Sequence, residues 1–263
     1  MYGKGLRPLS IITCVALTGA FALAFFYAPM DADQGISQKI FYVHVPMAIV
    51  ALVGFVAGGV FSIQHLRTGD RGYDLKSYVA IHLSQVLAVG VLITGSIWAR
   101  VSWGHWWLWD EPTLVSFLIV FLLYCCYQPL RFSIEDPERQ ARYASVFAIT
   151  AGAFVPLNFL AVRLAQEQTH PRVLGESGAL TAKMSLAFYT ALLAMALLFV
   201  TLWKFEMASK HTRNRLRSLR RSVLGEDLAL TRSASPCCSP GRSGRAPRGA
   251  SGSSGTSRRW SRS

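Results

Sequence analysis

Five of the seven tryptophans fall within twelve residues, as Trp98, Trp103, Trp106, Trp107 and Trp109, and Asp110 follows the last of them. The run Trp103-Gly104-His105-Trp106-Trp107-Leu108-Trp109-Asp110 therefore concentrates π surface beside one carboxylate. Laid on a helix at roughly 100° per residue, Trp103, Trp106, Trp107 and Asp110 share an arc of about 100°, with His105 near the opposite side. Such a face is a flat aromatic platform suited to a large planar apolar ligand. The competing reading is an interfacial belt, since tryptophan gathers at membrane edges. Both the density and the spacing exceed what anchoring requires.

Histidine supplies the second kind of chemistry. The six are His44, His65, His82, His105, His170 and His211. His44 lies in Phe41-Tyr42-Val43-His44-Val45-Pro46, one turn into an apolar stretch. An ionisable group there is a functional candidate, with a hydrogen-bonded structural histidine as the alternative. His170 lies in Gln168-Thr169-His170-Pro171 and gains meaning only from pairing. Two histidines on opposite sides of an aromatic platform would give one iron two axial nitrogens, and imidazole suits iron.

The elements that must position these residues are set by hydrophobicity. Of 263 residues, 52% are hydrophobic and 16% charged, against about 25% charged in an average soluble chain. Residues 1–203 hold 13 Lys/Arg against 11 Asp/Glu, and residues 204–263 hold 14 against 3. The net +13 is thus mostly a property of the tail, and a nucleic-acid partner for the whole chain loses its support. Six stretches free of Lys, Arg, Asp and Glu are long enough to cross a bilayer: about 9–28, 40–63, 78–98, 113–130, 143–162 and 184–203. The first reads as an uncleaved anchor, its apolar stretch being longer than that of a signal peptide.

Lys/Arg counts in the flanking segments place both termini inside, although the loop 163–183 breaks the alternation. The outer loops are then about 29–39, 99–112 and 163–183, and the inner loops about 64–77 and 131–142, the latter a solvated connector. His44, His105 and His170 fall on or near the outer side, and His65, His82 and His211 towards the inner. The expected organisation is an all-α integral membrane domain over 1–205, a basic juxtamembrane segment over 206–232 against anionic lipid, and a low-complexity tail over 233–263. That tail is too poor in apolar residues to offset its ordering entropy and reads as disordered. None of Cys14, Cys125, Cys126, Cys237 and Cys238 lies on the outer side, so no disulfide framework is implied. There is no C-x-x-C-H for covalent haem attachment and no P-loop.

The W-G-x-W-W-x-W-D run resembles the tryptophan-rich signature of the haem-handling proteins of cytochrome c biogenesis. Together with six spans, the Tyr42-Val43-His44-Val45-Pro46 run and a histidine in the last outer loop, it resembles the haem exporter protein C (CcmC) family over roughly residues 5–205. The resemblance implies that Trp103, Gly104, Trp106, Trp107, Trp109 and Asp110 bed a haem b held non-covalently and in transit, with His44 and His170 as axial ligands. It further implies a bacterial inner-membrane protein whose haem site faces the periplasm. Its partners would be a haem chaperone (CcmE-like), an ABC-type ATPase with its membrane subunit, and a small single-span subunit. The chain would be no enzyme itself, any ATP hydrolysis belonging to a partner. Two departures stand out. Glu111 follows the Trp-Asp pair where a basic residue is common, so a propionate contact made by that residue would be missing or supplied by Arg100, with Arg163 and Arg172 as further candidates. The last outer loop also lacks tryptophans before His170. Rival readings are a haem-ligating synthetase subunit, a small-solute transporter or channel with an aromatic belt, and a quinone-linked b-type cytochrome.

Overall fold

The computed structural model of the chain describes residues 5–32, 34–164 and 180–233. Among these every regular element is helical. Helix α1 (Leu6–Ala22) runs into a π turn at Leu23–Tyr27, and a 3₁₀ turn at Ile36–Ile40 leads into α2 (Phe41–Thr68). Then come α3 (Arg71–Trp103), α4 (Pro112–Cys125), the short α5 (Tyr127–Phe132), α6 (Pro137–Leu164) and α7 (Ala182–Ser233). The chain divides into two compact units, Met1–Arg215 and Leu216–Ser263. Within the second, residues 216–233 are helical.

Among the described residues, five segments are long and apolar enough to cross a membrane: Leu6–Tyr27, Ile36–Thr68, Arg71–Trp103, Pro112–Phe132 and Ala182–Val223. Five of the six expected spans fall on them. The remaining one, 143–162, lies within α6, which is not among the five. The outward faces are apolar, with Phe26, Ile11 and Leu193 each more than half exposed. In water such a surface would drive association; in lipid it is the ordinary exterior.

Sequence explains where the helices stop. Gly69 takes a left-handed φ of 70° and closes α2, and Asp70 caps α3 by accepting the Gly72 N–H at 2.8 Å. The α2–α3 connection therefore needs only two residues. Lateral packing relies on small residues that let backbones approach. A Cβ at Gly58 would sit 2.6 Å from Ile81 of α3, and one at Gly59 would sit 3.2 Å from the Ala148 carbonyl of α6. Beside this seam Phe55 stacks on Tyr124 with centroids 3.8 Å apart.

Two cations expected in loops are buried. Arg131, placed by sequence in a solvated connector, is 8% exposed and grips Asp74 through two bonds of 2.7 Å. It also donates to the Tyr127 hydroxyl at 3.2 Å. Lys39, counted by sequence as a loop charge, is 5% exposed, and its Nζ donates to the carbonyls of Ala28 (2.7 Å) and Pro29 (3.4 Å). Both escape a composition window, which ends a span at a charge without seeing the partner that allows its burial.

Candidate functional site

Helix α3 carries the site. Its last residue is Trp103, and Gly104 at φ 77° turns the chain left-handed out of the helix. Arg100, one turn earlier, donates from its guanidinium to the Gly104 carbonyl and so fastens that turn. Residues 104–111 are irregular until Glu111 caps α4, accepting the Thr113 N–H at 3.4 Å, with Pro112 as first helical residue. Glu111 itself is 2% exposed. The helical arc expected to align Trp103, Trp106, Trp107 and Asp110 therefore does not form. A left-handed glycine ends one helix there, and Glu111, the residue before a proline, stays extended. With the helix goes the projection that set His105 opposite the tryptophans; it is exposed in the same loop.

The rings are not coplanar either. Trp98 and Trp103 meet edge-to-face at 4.9 Å and 78°, and Trp107 and Trp109 at 6.1 Å and 63°. Ring quadrupoles favour this over a flat sandwich, so among the described residues two angled pairs stand in place of the expected single shelf. Trp106 and Trp109 are 60% and 75% exposed. Trp107 is half-buried, and its Nε1–H is buried without a hydrogen-bond partner among the described residues. Gly104 and Asp110 are exposed.

His44 stands in the first turn of α2, half-buried against α3. Its Nδ1 lies 3.0 Å from Thr94 Oγ1. Its Cε1 would be 2.9 Å from a Cβ at Gly95, so glycine is what leaves room for the ring. One turn further along α3, the Trp98 Nε1–H donates to Gln34 Oε1 at 3.2 Å, fastening the 29–35 connection to this helix. The Tyr42 hydroxyl and the Gln38 amide oxygen are buried and lie near one another, yet among the described residues neither makes a hydrogen bond of normal geometry.

A family model described as Heme exporter protein C matches residues 1–222. The chain belongs to the haem exporter protein C family. It is 34% identical to the Heme exporter protein C of Rhodobacter capsulatus over 156 residues, which are 59% of this chain and 64% of that protein, just under two thirds of its length. To the protein of the same name in Paracoccus denitrificans it is 30% identical over 197 residues, 74% of this chain and 81% of that one. To that of Bradyrhizobium diazoefficiens it is 33% identical over 199 residues, 73% of each.

In this haem exporter family member, the structure brings His44, Thr94, Gly95 and Trp98 together on one stretch of α2 and α3, with Trp103 and the loop to Asp110 following directly. The side chain of Arg163, together with His170 and Arg172, lies outside the described residues. His65 and His82 are removed from this group: His65 Nδ1 contacts the Asp70 carbonyl at 2.9 Å, and His82 stacks on Tyr78. Thr94, Gly95, Gln34 and Glu111 escape sequence reasoning. Each is a common residue type, singled out only by what the neighbouring segment places against it.

Proposed function

We propose that this membrane protein takes up haem as cargo at the end that bears the tryptophan loop and passes it to a haem chaperone for cytochrome c biogenesis. The observation that carries the reading is the seat of His44. Its imidazole rests on Thr94 and Gly95 of α3, the same helix whose C-terminus launches the loop from Trp103 to Asp110. In this reading His44 and His170 are the axial ligands of a non-covalently held haem b. Trp103, Gly104, Trp106, Trp107, Trp109 and Asp110 form its bed. Haem iron offers one coordination position on each side of the porphyrin plane, and imidazole fills such positions well.

Three features support the fit. The exposed indoles of Trp106 and Trp109 offer faces to a flat apolar ring, at about 0.5–1.5 kcal/mol per ring pair beyond burial. The buried Trp107 N–H is a donor in want of an acceptor, and a haem propionate is an acceptor. Exposed Arg100 spends part of its fork on the Gly104 carbonyl and retains N–H donors for a carboxylate. Release to the chaperone then needs exchange of one axial ligand and no bond-making by this chain. ATP hydrolysis belongs to an ABC-type partner with its membrane subunit and a small single-span subunit. The Lys/Arg distribution supports six spans with both termini inside, the haem end facing the periplasm of a bacterial inner membrane, and a basic segment over 206–232 along anionic lipid.

The test is an absorption spectrum of the detergent-purified protein, oxidised and reduced, beside His44→Ala, His170→Ala, the double variant and His65→Ala. A six-coordinate spectrum in the wild type and in His65→Ala, lost or five-coordinate in the others, is expected. Equal loss from all variants would sink the two-ligand model. Absence of haem throughout, even after reconstitution, would remove haem binding altogether.

A further inference from the structure

We infer that Thr94 is the positioning residue that selects the Nδ1–H tautomer of His44 and thereby assigns the lone pair to Nε2, the nitrogen that would bind iron. The inference rests on the reading of His44 as an axial ligand and adds the group that prepares it.

A threonine hydroxyl has one proton and two lone pairs. Thr94 Oγ1 lies 2.8 Å from the Gly90 carbonyl and 3.2 Å from the Val91 carbonyl, the back-bonding a helical threonine makes to the preceding turn. Neither oxygen can donate. Turning the hydroxyl proton towards His44 would set Oγ1 lone pairs against carbonyl lone pairs at 2.8 Å, in a low-dielectric interior where that repulsion is strong. The proton therefore stays on the helix, and Oγ1 meets His44 Nδ1, 3.0 Å away, as an acceptor. Nδ1 must then carry hydrogen. Gly95 makes room for the device: the ring edge at Cε1 sits where any Cβ would intrude at 2.9 Å, so a glycine there is what lets the imidazole lie against Thr94.

The consequence suits a carrier. A ligating histidine ordinarily donates its second N–H to a fixed acceptor, which sets ring orientation and ligand strength. A carboxylate in that place would press the imidazole towards imidazolate and tighten its hold on iron. A neutral hydroxyl already spent on a backbone carbonyl fixes the tautomer with little such push, and leaves a ligand that can be exchanged.

The experiment is nitrogen NMR of the haem-free protein labelled with ¹⁵N-histidine, His44 being assigned by its loss in His44→Gln, followed by haem titration. In the wild type His44 is expected to show a protonated Nδ1 and a pyridine-type Nε2. Thr94→Val, isosteric but without the hydroxyl, is expected to shift it to the Nε2–H form and to bind haem about 10- to 100-fold more weakly. Thr94→Ser, which keeps the hydroxyl, should restore both. A wild-type His44 protonated on Nε2, or a tautomer unmoved in Thr94→Val, overturns the inference. The wild-type spectrum decides the tautomer even if Thr94→Val misfolds. If the tautomer is as stated but His44→Ala binds haem like wild type, the ligand reading fails and the role assigned to Thr94 falls with it, while the hydrogen bond stands.

Discussion

Removing the guanidinium of Arg131 should be among the most damaging single changes in the helical domain, although it lies away from the tryptophan loop. Asp74 and Arg131 are 6% and 8% exposed, and two bonds of 2.7 Å join them. Each charge-assisted bond contributes roughly 1.5–3 kcal/mol. Arg131→Met keeps the apolar stem and strands a buried carboxylate, at about 3–5 kcal/mol. For a unit of this size that is roughly 6–20 °C in unfolding temperature. Arg131→Lys keeps the charge but loses the fork, so an intermediate loss is expected. The double variant Asp74→Leu/Arg131→Met leaves nothing unpaired and should return to within about 1–2 kcal/mol of wild type. Lys210 lies over the Tyr78 ring at 4.5 Å, the ring that Arg131 also faces at 5.0 Å, so each variant is compared with and without Lys210→Met. The assay is thermal unfolding in detergent followed by circular dichroism, run as a double-mutant cycle. If Arg131→Met costs less than about 1 kcal/mol, or no less is lost by the double variant, the pair behaves as a solvated surface bridge and the burial argument is wrong.

Three further outcomes are expected. Gly95→Ala places a Cβ 2.9 Å from the His44 ring, and the ring, as the far end of a side chain, is what must yield; haem retention should fall while the unfolding temperature stays near wild type, and unchanged retention would mean the ring has other room. Trp107→Phe keeps an aromatic face and removes the buried N–H; losing a hydrogen bond to a charged propionate should weaken haem binding about 10- to 100-fold in a titration, and equal affinity would show that this N–H meets no propionate. Truncation after about residue 225 should leave haem binding and transfer intact in a reconstituted assay, and a dead truncation would give the tail a role beyond topology.

The amino-acid pattern determined by itself what depends on local chemistry. Charge-free stretches located the apolar helices, because twenty such residues have few other stable homes. The spacing of tryptophans around Asp110 and the setting of His44 identified the family to which the chain belongs. Residue type was informative there because tryptophan clusters and intramembrane histidines are rare. The same periodicity misled at Trp103: a helical projection was continued through Gly104, whose φ of 77° no apolar count registers.

Tertiary structure alone decided which common residues matter. Nothing in the string marks Thr94 or Gly95, which acquire meaning only because α2 lays His44 on them from fifty residues away. Arg131 reads as a loop charge until Asp74 appears across 57 residues to neutralise it, and Lys39 until two backbone carbonyls close over it. The platform's shape, two angled ring pairs rather than one shelf, was likewise settled by how the chain turns after α3. The physical reason is common to all of these. A helix's existence is written in neighbours a few residues apart, whereas a hydrogen bond or a ring seat is written in the contact between helices, which sequence spacing does not encode.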